Sequence, residues 1–299
     1  MSFQTENRED GLQSAYSKHE RRWKENRYVY PVVSRRSGGV SIGINLNPGK
    51  DCSFNCIYCQ VNRTEPSPNR SVDVSILDSE LEAMLEDEKR GLLYKVLPFS
   101  LLPRTARGVR DIAFSGDGEP TASANFYEAV KAACRLRRRY GLQDVKIVLI
   151  TNASCLARPG VKEALSLMDS NNGEVWVKLD AGTDDYFRKV NRTNIPFETV
   201  LNNILEAARV RPLVIQSLWM RIDGAGPPSS EIRAYCGLLN NLLSSGGRLK
   251  ELQLHTIARP PAEKIVSALK DEELDGIAGK VRKEVPVPVK VFYGVPVVA

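Results

Sequence analysis

Three cysteines lie within the eight residues Cys52-Ser-Phe-Asn-Cys56-Ile-Tyr-Cys59. Spacings of three residues and then two let a single loop carry three thiolates to one metal centre. Iron–sulfur clusters are held by Cys thiolates, normally four. A four-iron cluster held by only three leaves one iron without a protein ligand, much as a catalytic zinc site keeps one position open. The competing reading is a structural zinc site lacking its fourth ligand. No second C-x2-C or H-x3-H pair accompanies the loop: His19 and His255 are far apart, and Cys134, Cys155 and Cys236 are scattered. The pattern favours a cluster, with zinc as the alternative.

The elements that must position these residues can be read from hydrophobic periodicity. Val40–Leu46 alternates apolar with small or polar residues, a strand signal, and runs through Asn47-Pro48-Gly49 into the cysteine loop at 49–60. Parallel α/β proteins carry their chemistry at the C-terminal ends of strands. A second strand, Arg110–Phe114, delivers Gly116-Asp117-Gly118-Glu119-Pro120. Glycines there let backbone approach a ligand, and Glu119 can accept from an ammonium. Val145–Ile150 ends at Asn152, whose amide can hydrogen-bond a ligand. Glu174–Asp180 places Lys178 and Asp180 on one side of a strand, where they would meet either a ribose or carboxylate, or each other. Leu213–Arg221 and Lys250–Thr256 are the fifth and sixth strands. Ile257, just beyond, offers an apolar face, and Arg259 can hold a carboxylate or phosphate or, equally, be structural like His255.

Between the strands, Ser79-Glu-Leu-Glu82 reads as a capping box and Gly91 as a helix stop. Helices are expected from Phe126 to Gly141, from Pro159, from Pro196, along Ile232, Tyr235, Cys236, Leu239 and Leu243, and over Ala262–Leu269 and Asp271–Glu284. Cys134 and Cys236 fall on apolar faces as core residues, and Cys155 is read as a buried loop position. Tyr28–Arg36 and Val285–Tyr293 contain prolines and read as extended edge segments.

These elements predict an α/β fold, a partial (β/α)6 barrel. A polar extension would cover 1–27 and one core domain 28–299. The chain has 299 residues, 42% hydrophobic and 26% charged, with no apolar run long enough for a membrane helix. The polar start MSFQTENREDGLQS has no apolar signal core, so a cytoplasmic location is expected. A net charge of +6 is compatible with an anionic partner such as RNA. Two basic clusters, Lys18–Lys24 and Arg135–Arg139, read as solvated helical surface, the second complementing a helix C-terminus.

Taken together, Cys52, Cys56 and Cys59 with Tyr58 before the last, Gly116–Pro120, Thr151-Asn152-Ala, Lys178-Leu-Asp180-Ala and Ile257-Ala-Arg259-Pro-Pro resemble the radical S-adenosylmethionine (SAM) superfamily. Asp117 stands where that family's G-G-E-P motif has its first glycine. The combination is similar to the branch related to the wyosine-base synthases, which modify a guanosine beside the tRNA anticodon. The chain differs from those synthases in having no cysteine before Cys52, where they carry a second cluster.

The resemblance implies a [4Fe-4S] cluster on Cys52, Cys56 and Cys59, and SAM chelated to the open iron. An electron from the cluster would cleave the sulfonium, and the 5′-deoxyadenosyl radical so released would take a hydrogen atom from a substrate. It further implies SAM contacts from Tyr58, Gly116, Asp117, Gly118, Glu119, Asn152, Asp180 and Ile257. A reductant such as flavodoxin or ferredoxin is the expected partner, with RNA compatible as substrate. The alternative of another class is an iron–sulfur protein that binds RNA or a partner without turnover.

Overall fold

The computed structural model describes residues 23–64 and 71–294. Most of the Lys18–Lys24 cluster and part of the connector after the cysteine loop therefore lie outside the described residues. The chain divides into two compact units.

In the first unit, β1 (Val29–Ser34) pairs antiparallel with β2 (Gly39–Ile44), from Val29↔Ile44 to Ser34↔Gly39. Pro31 sits in β1, the last strand on its side of the sheet, where a missing N–H interrupts no ladder. Every residue of β2 is buried, as expected of a strand covered on both faces. Helix α1 (Val74–Lys89) follows, and then β3 (Val109–Phe114), which runs parallel to β2.

The capping-box reading of Ser79 is corrected here. The Asp73 carboxylate accepts from Ser75 N at 2.8 Å, so the helix begins ahead of Ser79. Ser79 is interior, and its hydroxyl donates back to Ser75 O at 3.0 Å. Leu77, Leu81, Met84 and Leu85 are the buried face of α1, and Gly91 takes the left-handed conformation just beyond it (φ 68°).

Helix α2 (Phe126–Arg139) buries Phe126, Ala129, Val130, Ala133 and Cys134, the face its periodicity predicts. Strand β4 (Lys146–Thr151) then runs parallel to β3. The basic end of α2 is not loose in solvent as expected. Arg135 pairs with Asp78, Arg139 with Glu82 at 2.7 Å, and buried Arg137 donates to the carbonyls of Val145 and Gln143. Three guanidiniums thus satisfy acceptors of α1 and of the turn before β4, a role no local pattern announces.

Helix α3 (Pro159–Asp169) starts at its proline. The second unit contains β5 (Gly173–Lys178) from Val175 on, α4 (Asp184–Asn191), α5 (Phe197–Val210) and β6 (Leu213–Leu218), with β6 parallel to β5. The predicted fifth strand breaks at Trp219. Its continuation, β7 (Met220–Ile222), leaves the main sheet. After α6 (Ser229–Ser244), β8 (Leu249–His255) runs parallel to β6. On α6 the buried residue near the C-terminus is Leu242, with Leu243 only half-buried.

The expected helix over Ala262–Leu269 is instead β9 (Val266–Ala268), antiparallel to β7. There Val266 is buried with Met220 and Ile222, so tertiary burial of a β-branched residue decides the conformation. Helix α7 (Asp271–Glu284) leads to β10 (Val289–Phe292), parallel to β8. The C-terminal edge segment is therefore a true sheet strand.

Helix α4 was not anticipated. Thr183 caps it by accepting from Tyr186 N at 3.2 Å. Buried Glu231 in turn receives Thr183 N at 3.1 Å and Thr183 Oγ1 at 2.7 Å. The fold is mixed α/β, with an eight-stranded sheet in the order β1-β2-β3-β4-β5-β6-β8-β10.

Candidate active site

The cysteine loop belongs to the second unit. Its backbone is fastened to the end of α4: Asn55 N donates to Asn191 O at 3.0 Å and Ile57 N to Val190 O at 2.9 Å. Thr193 Oγ1 donates to Ser53 O at 2.8 Å. Phe54 packs edge-on against Phe187 at 5.5 Å between centroids, and Phe187 stacks on Phe197 at 4.5 Å.

Cys52, Cys56 and Cys59 are free thiols, and each is met by a different N–H donor. Asn152 Nδ2 is 3.9 Å from Cys52 Sγ, Asn191 Nδ2 is 3.4 Å from Cys56 Sγ, and Arg63 Nη2 is 3.6 Å from Cys59 Sγ. Desolvation, then the charge of Asp180, push the Cys56 thiol up to about 12, opposed by hydrogen bonds from Asn191 and Tyr58. Cys134, Cys155 and Cys236 are buried, as expected for core or loop positions.

Asp180 is ringed by donors from its own unit. Its Oδ1 accepts from Leu218 N at 2.7 Å and from Lys178 Nζ at 3.0 Å, and its Oδ2 from the Tyr58 hydroxyl. Lys178 Nζ also lies 5.2 Å from the centre of the Tyr58 ring, within cation–π range. Burial, then Asp180, hold the Tyr58 phenol well above its ordinary range. The Lys178–Asp180 pair therefore forms, with Tyr58 as its third member. Ile257 and Tyr58 both pack on a buried cluster of Ile57, Val190, Met220, Ile222 and Val266. Arg259 reaches Gln60 at 3.4 Å, at the limit of a hydrogen bond.

In the first unit, the turn after β3 is held by Asn45, which follows β2, with Asn47 close beside it. Asn45 Nδ2 donates to Asp117 Oδ2 at 2.7 Å, while Asn45 Oδ1 accepts from Asp117 N at 3.2 Å and Asn47 N at 3.0 Å. A side chain on Gly116 would strike the Asn45 amide, and one on Gly118 would strike the Asp51 carbonyl and Asn47. Both glycines are therefore required by close approach. Buried Glu119 accepts from Thr121 N at 3.1 Å and from the Thr121 hydroxyl. The side-chain amide oxygen Oδ1 of Asn47 is buried and has no hydrogen-bond partner among the described residues.

These side chains fit an iron–sulfur cluster and SAM. A thiolate accepts but does not donate, and three sulfurs each facing an N–H suit it; hydrogen bonds to the sulfurs also help set a cluster's potential. Among the described residues no three His, Cys, Asp or Glu side chains are gathered as ligands of one ion. A cluster, which spreads its thiolates over separate irons, does not require that. The unpartnered Asn47 oxygen, beside a turn with no room for a Cβ, suits an ammonium group.

The residues that sequence reasoning missed are Asn45, Asn47, Arg63 and Asn191. Asn45 and Asn47 alternate along the chain after β2, a signal that could have been read. Nothing local marks Asn191.

Comparison with known proteins agrees with this architecture. A solved structure of TYW1 with a lysine–pyruvate adduct bound is similar in fold (TM-score 0.55, 16% identity, 83% of this chain and 74% of that one). The fold is thus the partial-barrel type of mixed α/β protein. Residues 46–220 match the Radical SAM superfamily, and the chain belongs to that superfamily of enzymes. Membership implies SAM and an iron–sulfur cluster.

Among curated relatives, the chain is 26% identical over 257 residues to a GTPase Obg of Brachyspira hyodysenteriae, covering 84% of this chain but 33% of that protein. It is 25% identical over 249 residues to a UPF0026 protein of Helicobacter pylori, covering 82% and 70%. The chain thus spans only a third of the first of these relatives. Among the described residues no helix is long and apolar enough to cross a membrane.

Proposed function

We propose that the chain is a radical SAM enzyme in which Cys52, Cys56 and Cys59 hold a [4Fe-4S] cluster. The observation that carries this reading is the loop of three thiols, each met by its own N–H donor from a different residue. Held by Cys52, Cys56 and Cys59, the cluster would supply the one-electron, reductive chemistry by which SAM becomes a source of a hydrogen-abstracting radical.

The chain's own residues bind and orient. Asn47 and the Gly116–Glu119 turn, held by Asn45, would receive the methionine amine. Asn152 and the Tyr58–Asp180–Lys178 group would serve the carboxylate or ribose, and Ile257 would offer an apolar face to adenine. Asp180 is already supplied with donors, so its part is to hold Tyr58 and Lys178 in place.

The test is anaerobic reconstitution with iron and sulfide, followed by SAM and a strong reductant. Formation of 5′-deoxyadenosine above a protein-free control is expected. A loaded protein that forms none would overturn the reading. A flavodoxin or ferredoxin would be the electron donor; the substrate is unidentified, and RNA is compatible with the net charge of +6. A second reading, an iron–sulfur protein that binds RNA without turnover, would show an EPR signal indifferent to SAM.

A further inference from the structure

The end of α4 does more than pack. From Val190 to Thr193 it runs beside the cysteine loop and bonds to alternate loop residues, with Thr193 on Ser53, Asn191 on Asn55 and Val190 on Ile57. The helix ends within this strip at Arg192, its C-cap, which adopts the left-handed conformation (φ 44°). An Arg192–Glu263 ion pair at 2.5 Å holds that end.

The Asn191 side chain enters between the backbone bonds and places its amide N–H on the Cys56 sulfur at 3.4 Å. The residue is 2% exposed, and its side-chain oxygen Oδ1 is buried with no hydrogen-bond partner among the described residues. An amide that leaves its oxygen unsatisfied inside a protein is uncommon, and such a group calls for an explanation. A packing role alone would be served as well by leucine, which has no polar atom to bury. The feature leucine lacks is the N–H aimed at sulfur.

We propose that Asn191 is a positioning residue that raises the reduction potential of the cluster held by Cys56, by donating a hydrogen bond to the ligand sulfur from a strip that also fixes the loop. The inference rests on the proposed cluster. Donation to a thiolate sulfur draws charge off the cluster and stabilises its reduced form, so loss of the N–H makes reduction harder. The other two sulfurs have donors of their own, so the effect is a shift and not a loss of the cluster.

The experiment is an EPR-monitored redox titration of the reconstituted full chain, without SAM, for wild type, Asn191→Leu and Asn191→Asp. Both variants keep the approximate shape and lack the N–H, and aspartate adds a negative charge. The expected order of midpoint potential is wild type highest, leucine lower, aspartate lowest, at equal iron content. Equal potentials in wild type and the leucine variant would overturn the proposal. A wild-type chain that assembles no cluster would overturn the underlying reading instead.

If neither variant retains iron, an Asn152→Ala protein labelled with asparagine carrying 15N only in its side-chain amide decides by pulsed EPR, because Asn191 is then the remaining asparagine amide on a loop sulfur. Coupling of a labelled nitrogen to the reduced cluster supports the role of Asn191, and its absence refutes it.

Discussion

At the scale of single residues, the three loop cysteines separate cleanly from the three buried ones. Replacing Cys52, Cys56 or Cys59 by serine is expected to abolish iron retention, measured by metal analysis after anaerobic reconstitution. Cys134→Ser, in the core of α2, should retain iron and lose only about 1–3 kcal/mol of stability from an unsatisfied buried hydroxyl.

The raised Cys56 thiol has a pH consequence. Its pKa of about 12 lies above the working range, so the thiol is protonated there and binding iron must expel that proton. Iron affinity should therefore rise with pH from 7 to 9, by about tenfold per unit from this proton alone. Competition against a chelator at each pH would measure it, and a flat profile would show that no loop thiol gives up a proton to iron. Gly118→Ala, which drives a methyl into the Asp51 carbonyl and Asn47, should weaken SAM binding at least tenfold in equilibrium dialysis while the cluster still assembles.

At the scale of elements, α4 is the segment whose contribution exceeds its length. Phe187 on α4 lies between Phe54 of the cysteine loop and Phe197 of α5. Phe187→Ala is expected to cost about 3–5 kcal/mol by thermal or denaturant unfolding, and to speed iron loss because Phe54 loses its support. Unchanged iron retention at reduced stability would show that the loop is held by its backbone bonds alone.

The elements legible in sequence were those with long periodic faces. The alternation of Val40–Leu46 and the apolar stripe of α2 both correspond to observed elements. Those misread were short. Residues 266–268 carry too few side chains to display a period, and their strand conformation comes from the partner β7. Helix α4 owes its start to Thr183 and to Glu231, 48 residues further along the chain, which no window of neighbouring residues contains.

At the scale of the whole molecule, the net charge of +6 and pI near 9.0 bear on the substrate. If RNA is bound, its affinity should fall steeply with salt, as log K against log salt with a slope set by the number of phosphates neutralised. A salt-independent affinity would argue against an RNA substrate. By itself the sequence determined the class of chemistry and the order of elements, because thiol spacing, glycine turns and hydrophobic period are local properties of a chain. It placed the three cysteines on a loop after one strand and Gly116–Glu119 after the next, and both placements are observed. Only the tertiary structure decided which side chains serve those loops. The amides of Asn152 and Asn191 reach sulfurs 100 and 135 residues away in the chain, and Asp180 is committed to Tyr58, Lys178 and the backbone of Leu218. Such pairings depend on how strands and helices are brought together by burial of their apolar faces, and distance along the chain carries no record of them.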